Sequence, residues 1–142
     1  MALVFLGSCV KDEITDPPAK PDPVIPAGMH AKINGVAWEA NYVSHMSLLG
    51  GMHYIEVSGY DTTGKSIKLV INNFKSRSTY IVPSSKDSAF MALDFNVFAD
   101  KQGTRDGKIT IQAINDSMVG GAFHFITDSF DITEGTFYVN YN

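Results

Sequence analysis

The sequence predicts a single all-β domain, an antiparallel β-sandwich or a lipocalin-like barrel of about eight to ten short strands, behind a disordered N-terminal tether. Three observations predict it. Apolar and polar residues alternate with a period of two from Met29 onward. Turn-forming residues interrupt that pattern at intervals of about 8–12 residues. No long stretch keeps helical spacing; over residues 39–49, Tyr42, Met46 and Leu49 approximate it and leave a short helix as an alternative to a strand.

The elements follow in order. Met29, Ala31 and Ile33 alternate with His30, Lys32 and Asn34. Asn34-Gly35 then falls between apolar residues, the strongest short-range hairpin signal. Val36, Trp38 and Ala40 share the next face, and a strand from Tyr42 runs toward the Gly50-Gly51 break. Residues 54–60 set Ile55 and Val57 against Glu56 and Ser58. Asp61-Thr62-Thr63-Gly64 is turn chemistry, and residues 66–72 return with Ile67, Leu69 and Ile71 aligned. A short strand over 78–82 stops at Pro83. Residues 90–98 align Met91, Leu93, Phe95 and Val97, and residues 100–107 are rich in turn formers. Ile109 and Ile111 alternate with Lys108 and Thr110 along 108–115, and Asn115-Asp116-Ser117 turns the chain into 119–127. Residues 130–133 and 136–141 close it, with Glu134-Gly135 as a kink or bulge.

Three segments precede or make up the domain: a partial signal peptide over 1–8, a lipidated, proline-rich linker over 9–27, and one all-β domain over 28–142. Cys9 is the single cysteine, which excludes a disulfide framework and a multi-cysteine metal site. Leu6-Gly7-Ser8-Cys9 resembles the bacterial lipobox, in which two small residues precede the cysteine that is lipidated. Two or three acyl chains there hold a membrane far more firmly than one. Residues 1–6 carry no Lys or Arg and are short for a signal peptide, so the signal is expected to extend upstream of Met1. Lys11-Asp12-Glu13 resembles the surface-export signal that follows the lipidated cysteine of Bacteroidetes lipoproteins. Prolines 17, 18, 21, 23 and 26 exclude helix and sheet from the linker. Extended as polyproline II, it spaces domain from lipid by up to roughly 50 Å.

The totals narrow the function. A net charge of −4, from 15 acids and 11 bases without a basic stripe, argues against nucleic acid as a partner. His30, His45, His53 and His124 fall at no metal-binding spacing, so no metal or other cofactor is expected. Asp100, Asp106 and Asp116 sit in turns without the converging oxygens of a calcium loop. No Gly-x-Ser-x-Gly elbow and no glycine-rich phosphate loop occur. Asp94 and Glu134 are the carboxylates in aromatic, strand-like surroundings, and nothing in their spacing makes them a glycosidase pair. Tyr42, Tyr54, Tyr60, Tyr80 and Tyr138 fall partly on outward faces and form a candidate glycan- or protein-binding platform.

Residues 29–40, Gly107-Lys108-Ile109-Thr110-Ile111, Gly121-Ala122-Phe123-His124-Phe125 and Thr133-Glu134-Gly135-Thr136-Phe137 resemble a family of small Bacteroidetes lipoproteins of unknown function. The resemblance implies a lipid-anchored β-domain and supplies no catalytic residue. The expectation is therefore a non-enzymatic lipoprotein of the outer membrane, at the cell surface. It would be a monomer held to the membrane through Cys9, binding a glycan, peptide or protein. A lipocalin-like carrier of small ligands and a small hydrolase are the alternatives.

Overall fold

The computed structural model describes residues 24–48, 54–72, 77–84, 87–92, 102–115 and 117–140, without the side chains of residues 45–48, 88–92 and 102. Cys9, Lys11, Asp12, Glu13, most of the proline-rich stretch, Gly50, Gly51, His53, Asp94, Asp100, Asp116 and the aligned Leu93, Phe95 and Val97 lie outside the described residues.

Among the described residues, eleven strands form two antiparallel sheets stacked as a sandwich. In chain order they are β1 (Gly28–Ile33), β2 (Val36–Glu39), β3 (Tyr42–Leu48), β4 (Tyr54–Tyr60), β5 (Ser66–Ile71), β6 (Thr79–Val82), β7 (Ser88–Ala92), β8 (Gln102–Gly103), β9 (Asp106–Ile114), β10 (Met118–Ile126) and β11 (Asp131–Asn140). One sheet runs β2-β1-β11-β10-β9-β6 and the other β3-β4-β5-β7-β8. Among the described residues the two share no ladder, and they form a sandwich and not the closed lipocalin-like barrel that alternation alone also allowed.

Local chemistry explains the first hairpin. Asn34 and Gly35 both take positive φ, at 50° and 80°, which a two-residue turn matched to strand twist demands. Asn34 also ties the hairpin to the start of β11. Its amide donates to Asp131 O at 2.8 Å, and its Oδ1 accepts from the Asp131 amide at 2.8 Å.

The period-two residues fill the space between the sheets. Met29, Phe125, Phe137, Ile67, Ile109 and Ile132 are fully buried within one continuous core. Each such side chain contributes about 1.5–3 kcal/mol relative to exposure. Phe123 lies 6.2 Å from Phe125 and 6.4 Å from Phe137, ring centre to ring centre, in tilted pairs. At Gly59 the sheets approach closely. A Cβ there would stand 2.8 Å from Met29 Sδ and 2.9 Å from Ala40 Cβ.

Residues 42–48 form strand β3, paired with β4 along its length, as the strand reading expected; the alternative of a short helix does not hold, because the backbone pairing outweighs an approximate helical spacing. Two expectations are corrected. Residues 102–103 form β8 against β7 inside the stretch rich in turn formers, where no strand was expected, because a sheet partner, and not the local residues, supplies the pairing. The two closing strands expected on either side of Glu134-Gly135 are one strand, β11 (Asp131–Asn140), whose ladder absorbs an extra residue at a bulge. Among the described residues, no helix is long and apolar enough to cross a membrane.

Candidate functional site

Alternation buries one set of residues and leaves the other on the outer face of the six-stranded sheet. Strand register lines that outer set up in rows. One row crosses all six strands: Glu39, His30, Thr136, Ala122, Thr110 and Thr79 are successive cross-strand partners. The Thr79 and Thr110 hydroxyls lie 3.0 Å apart within it. In the next row Ala37 faces Lys32, and His124 faces Lys108, which faces Ile81.

Between these rows the bulge changes the geometry. His30 and Lys32, two positions apart on β1, pair with Thr136 and Thr133, three apart on β11. Phe123 and Phe125 span Gly135 and Ile132 in the same way from the other side. The extra residue is Glu134, held at a φ of 50°. An acidic residue in the left-handed region is uncommon and carries backbone strain of about 1–3 kcal/mol. Gly135 follows because a Cβ there would strike the Phe123 ring at 2.5 Å. The bulge delivers the Glu134 carboxylate to the outer face, where Lys32 Nζ donates to its Oε1 at 2.8 Å.

Glu134 and Lys32 form a ridge with an open hollow on either side. The larger, about 410 Å³, is lined by His30, Lys32, Ala37, Trp38, Glu39 and Glu134, with the Ala31 strand beneath. The smaller, about 200 Å³, is lined by Lys108, Thr110, Ala122, Phe123, His124, Glu134 and Gly135. Ala37 and Ala122 leave the space by having small side chains where neighbours on this face have long ones. His30 Nε2 donates to the Ala27 carbonyl at 2.8 Å, and its Nδ1 lies 3.9 Å from Glu39 Oε1. Lys108 makes no ion pair among the described residues. The face thus offers acceptors at Glu39 and Glu134 and donors at Lys32, Lys108 and the threonine hydroxyls. That chemistry suits a polar ligand lying across strands. No group of three or more metal-ligating side chains forms among the described residues.

The five tyrosines do not form one platform. Tyr42, Tyr54 and Tyr60 lie on the outer face of the five-stranded sheet, opposite the buried Ile55 and Val57. Tyr42 and Tyr60 stack there, ring centres 6.2 Å apart and 27° from coplanar. Tyr138 belongs to the other sheet's outer face, and Tyr80 packs against the core. On the tyrosine face, Tyr54 Oη donates to Glu56 Oε2 at 2.8 Å, and Lys68 Nζ lies 2.6 Å from Glu56 Oε1. Burial, then the hydrogen bond to Glu56 and its charge, push the Tyr54 phenol up to about 12.

His124 points away from Phe123 and Phe125, as alternation predicts, and faces the smaller hollow. Glu134, weighed as half of a carboxylate pair, instead pairs with a lysine. Sequence reasoning passed over Lys32, Glu39 and Lys108 as ordinary outward residues. A signal was present: the segments carrying the family resemblance contain every lining residue of both hollows.

Among families of known sequence, a model described as a domain of unknown function, DUF6252, matches residues 26–140. No curated protein matches the chain, and no solved structure does.

Proposed function

We propose that this chain, which belongs to the DUF6252 family, is a lipid-anchored, non-catalytic binding domain of a Bacteroidetes cell surface, with its ligand on the outer face of the six-stranded sheet, astride Glu134. The observation that carries the binding face is Glu134 itself. A strained bulge holds a carboxylate between two hollows when an ordinary pleat would be cheaper. The anchor rests on Leu6-Gly7-Ser8-Cys9, the surface location on Lys11-Asp12-Glu13, and the reach on the proline-rich linker. From β2 to β9 the face spans four strand spacings, about 19 Å. A glycan or peptide lying across the strands would meet both hollows and exchange hydrogen bonds with either side of the ridge.

Two measurements test this. In intact cells of a native host, proteinase K should remove a C-terminal tag from the wild type, and Cys9→Ser should release the protein from the membrane fraction. Protection until the outer membrane is broken would move the protein to the periplasmic side. For the face, amide NMR shifts of the full chain would be followed as envelope-derived glycans and peptides are titrated in. Perturbations should gather at His30, Lys32, Thr110 and His124 and vanish in Ala122→Arg, which fills the smaller hollow. Saturable binding that leaves these amides unmoved would sink the assignment of the face.

A further inference from the structure

The opposite side of the sandwich has its own chemistry. Register makes Tyr42 on β3 the direct partner of Tyr60 on β4, and Tyr60 the partner of Ser66 on β5. Tyr42 is 64% exposed although its ring is stacked. The next row is Ser44, Ser58 and Lys68, and Lys68 stands diagonally from Tyr60, about 7–8 Å away between Cα atoms. We propose that the Tyr42–Tyr60 pair is a stacking platform for a ring of a neutral saccharide, with Lys68 and Ser44 meeting its hydroxyls.

Three features select that ligand. An aromatic ring presents an electron-rich face, which attracts the polarised C–H bonds lining one side of a pyranose. Beside the stack Ser44 offers a hydroxyl and Lys68 an amine shared with Glu56, while Ser58 and Ser66 are buried; those polar groups suit a polyhydroxy ligand better than an apolar protein patch. The charges on this face cancel among the described residues, because Glu56 and Lys68 are in direct contact, so nothing there selects an acidic sugar. Tyr42 is the first residue of β3, an edge strand of its sheet, so a long chain can cross it from the side. The platform is independent of the Glu134 ridge, which lies on the other sheet.

The full 142-residue chain would be run through native gels cast with single neutral polysaccharides (mixed-linkage glucan, starch, mannan and xylan), with polygalacturonate as the acidic control and a sugar-free gel as reference. At least one neutral gel should retard it. Tyr42→Ala should lower the derived affinity about tenfold or more, while Tyr42→Trp retains it. Arg105→Ala, at an exposed side chain between β8 and β9 and outside both faces, should leave retardation unchanged. Circular dichroism would verify that each variant folds. The proposal is overturned if no neutral gel retards the chain, if only polygalacturonate does, or if Tyr42→Ala migrates like the wild type. A Tyr42-dependent change of mobility in the sugar-free gel alone would also overturn it, in favour of a second copy on this face.

Discussion

The Trp38 indole Nε1 donates to Asp61 Oδ2 across 2.9 Å and joins β2 of one sheet to the turn between β4 and β5 of the other. The other carboxylate oxygen organises that turn. Asp61 Oδ1 accepts from the Thr63 amide at 2.8 Å, the Thr63 hydroxyl at 2.7 Å and the Lys65 amide at 3.0 Å. One side chain therefore closes a hairpin and clamps two sheets. Asp61→Ala removes the acceptor of all four donors and should cost about 2–3 kcal/mol in urea denaturation. Trp38→Phe removes one donor and keeps most of the packing, and should cost less, about 1–2 kcal/mol. The reverse order would show that the indole's packing, and not the carboxylate, holds the corner.

The same carboxylate sets an acid limb. Burial raises the Asp61 pKa, but hydrogen bonds from the Thr63 side chain and amide, the Lys65 amide and Trp38 together outweigh it, and the net shift is downward from 3.8. A group with a lowered pKa in the folded state contributes stability above its unfolded value and loses it as pH falls through the folded one. The urea midpoint should therefore drop as pH goes below 3.8. Asp61→Asn should start lower and fall less over that range. Parallel acid limbs for the two proteins would remove Asp61 from this role.

The fold was legible where chemistry is local. Asn34-Gly35 marks its own hairpin, and the spacing of Ile67, Leu69 and Ile71 marks a buried face. What could not be read depends on partners distant in sequence. Trp38 and Asp61 are 23 residues apart, and Lys32 and Glu134 are 102 apart, so neither pair leaves a trace in any short window. Tyr80 was expected partly outward because a four-residue edge strand gives too few alternations to fix its facing. Glu134-Gly135 was legible as an irregularity, but its use was not. The hollows it separates arise only when β1, β10 and β11 are laid side by side.

The close approach at Gly59 yields a packing test. Gly59→Ala would set a methyl group 2.8 Å from Met29 Sδ, 2.9 Å from Ala40 Cβ and 3.1 Å from Trp38 Cη2. The methionine sulfur can move; the Ala40 methyl can move only with its backbone. Overpacking of this kind costs about 1–3 kcal/mol. The expected result is a lower urea midpoint with an unchanged slope. An unchanged midpoint would mean that the sheets separate more easily than the core packing suggests.

Tyr54 makes a prediction at the alkaline end. Its phenol is raised from 10.0 to about 12, so its protonated form is favoured in the folded state. A raised pKa contributes stability below the unfolded value and loses it as pH climbs through the folded one, here between 10.0 and about 12. Subtracting the phenolate absorbance titration of Tyr54→Phe from that of the wild type isolates this residue. The difference should appear late, near 12, and move earlier in Glu56→Gln, which removes the charge opposing ionisation. A difference curve centred at 10.0 would mean that the Tyr54–Glu56 bond does not persist in solution.

Glu134 separates stability from function on one residue. Its left-handed backbone is costly for a residue with a Cβ, and its ion pair with Lys32 is solvent-exposed, with side chains 42% and 67% accessible, and repays little of that cost. Glu134→Gly keeps the bulge, relieves the backbone and discards the carboxylate. It should raise stability by about 0.5–1 kcal/mol. Glu134→Val places a β-branched side chain in the same conformation and should lower stability by about 1–2 kcal/mol. Both variants should lose any ligand held across the ridge, since both lack the acceptor between the hollows. A Glu134→Gly protein that is more stable and fails to bind would identify the strain as serving the face. One that is more stable and still binds would leave the bulge with only a structural role.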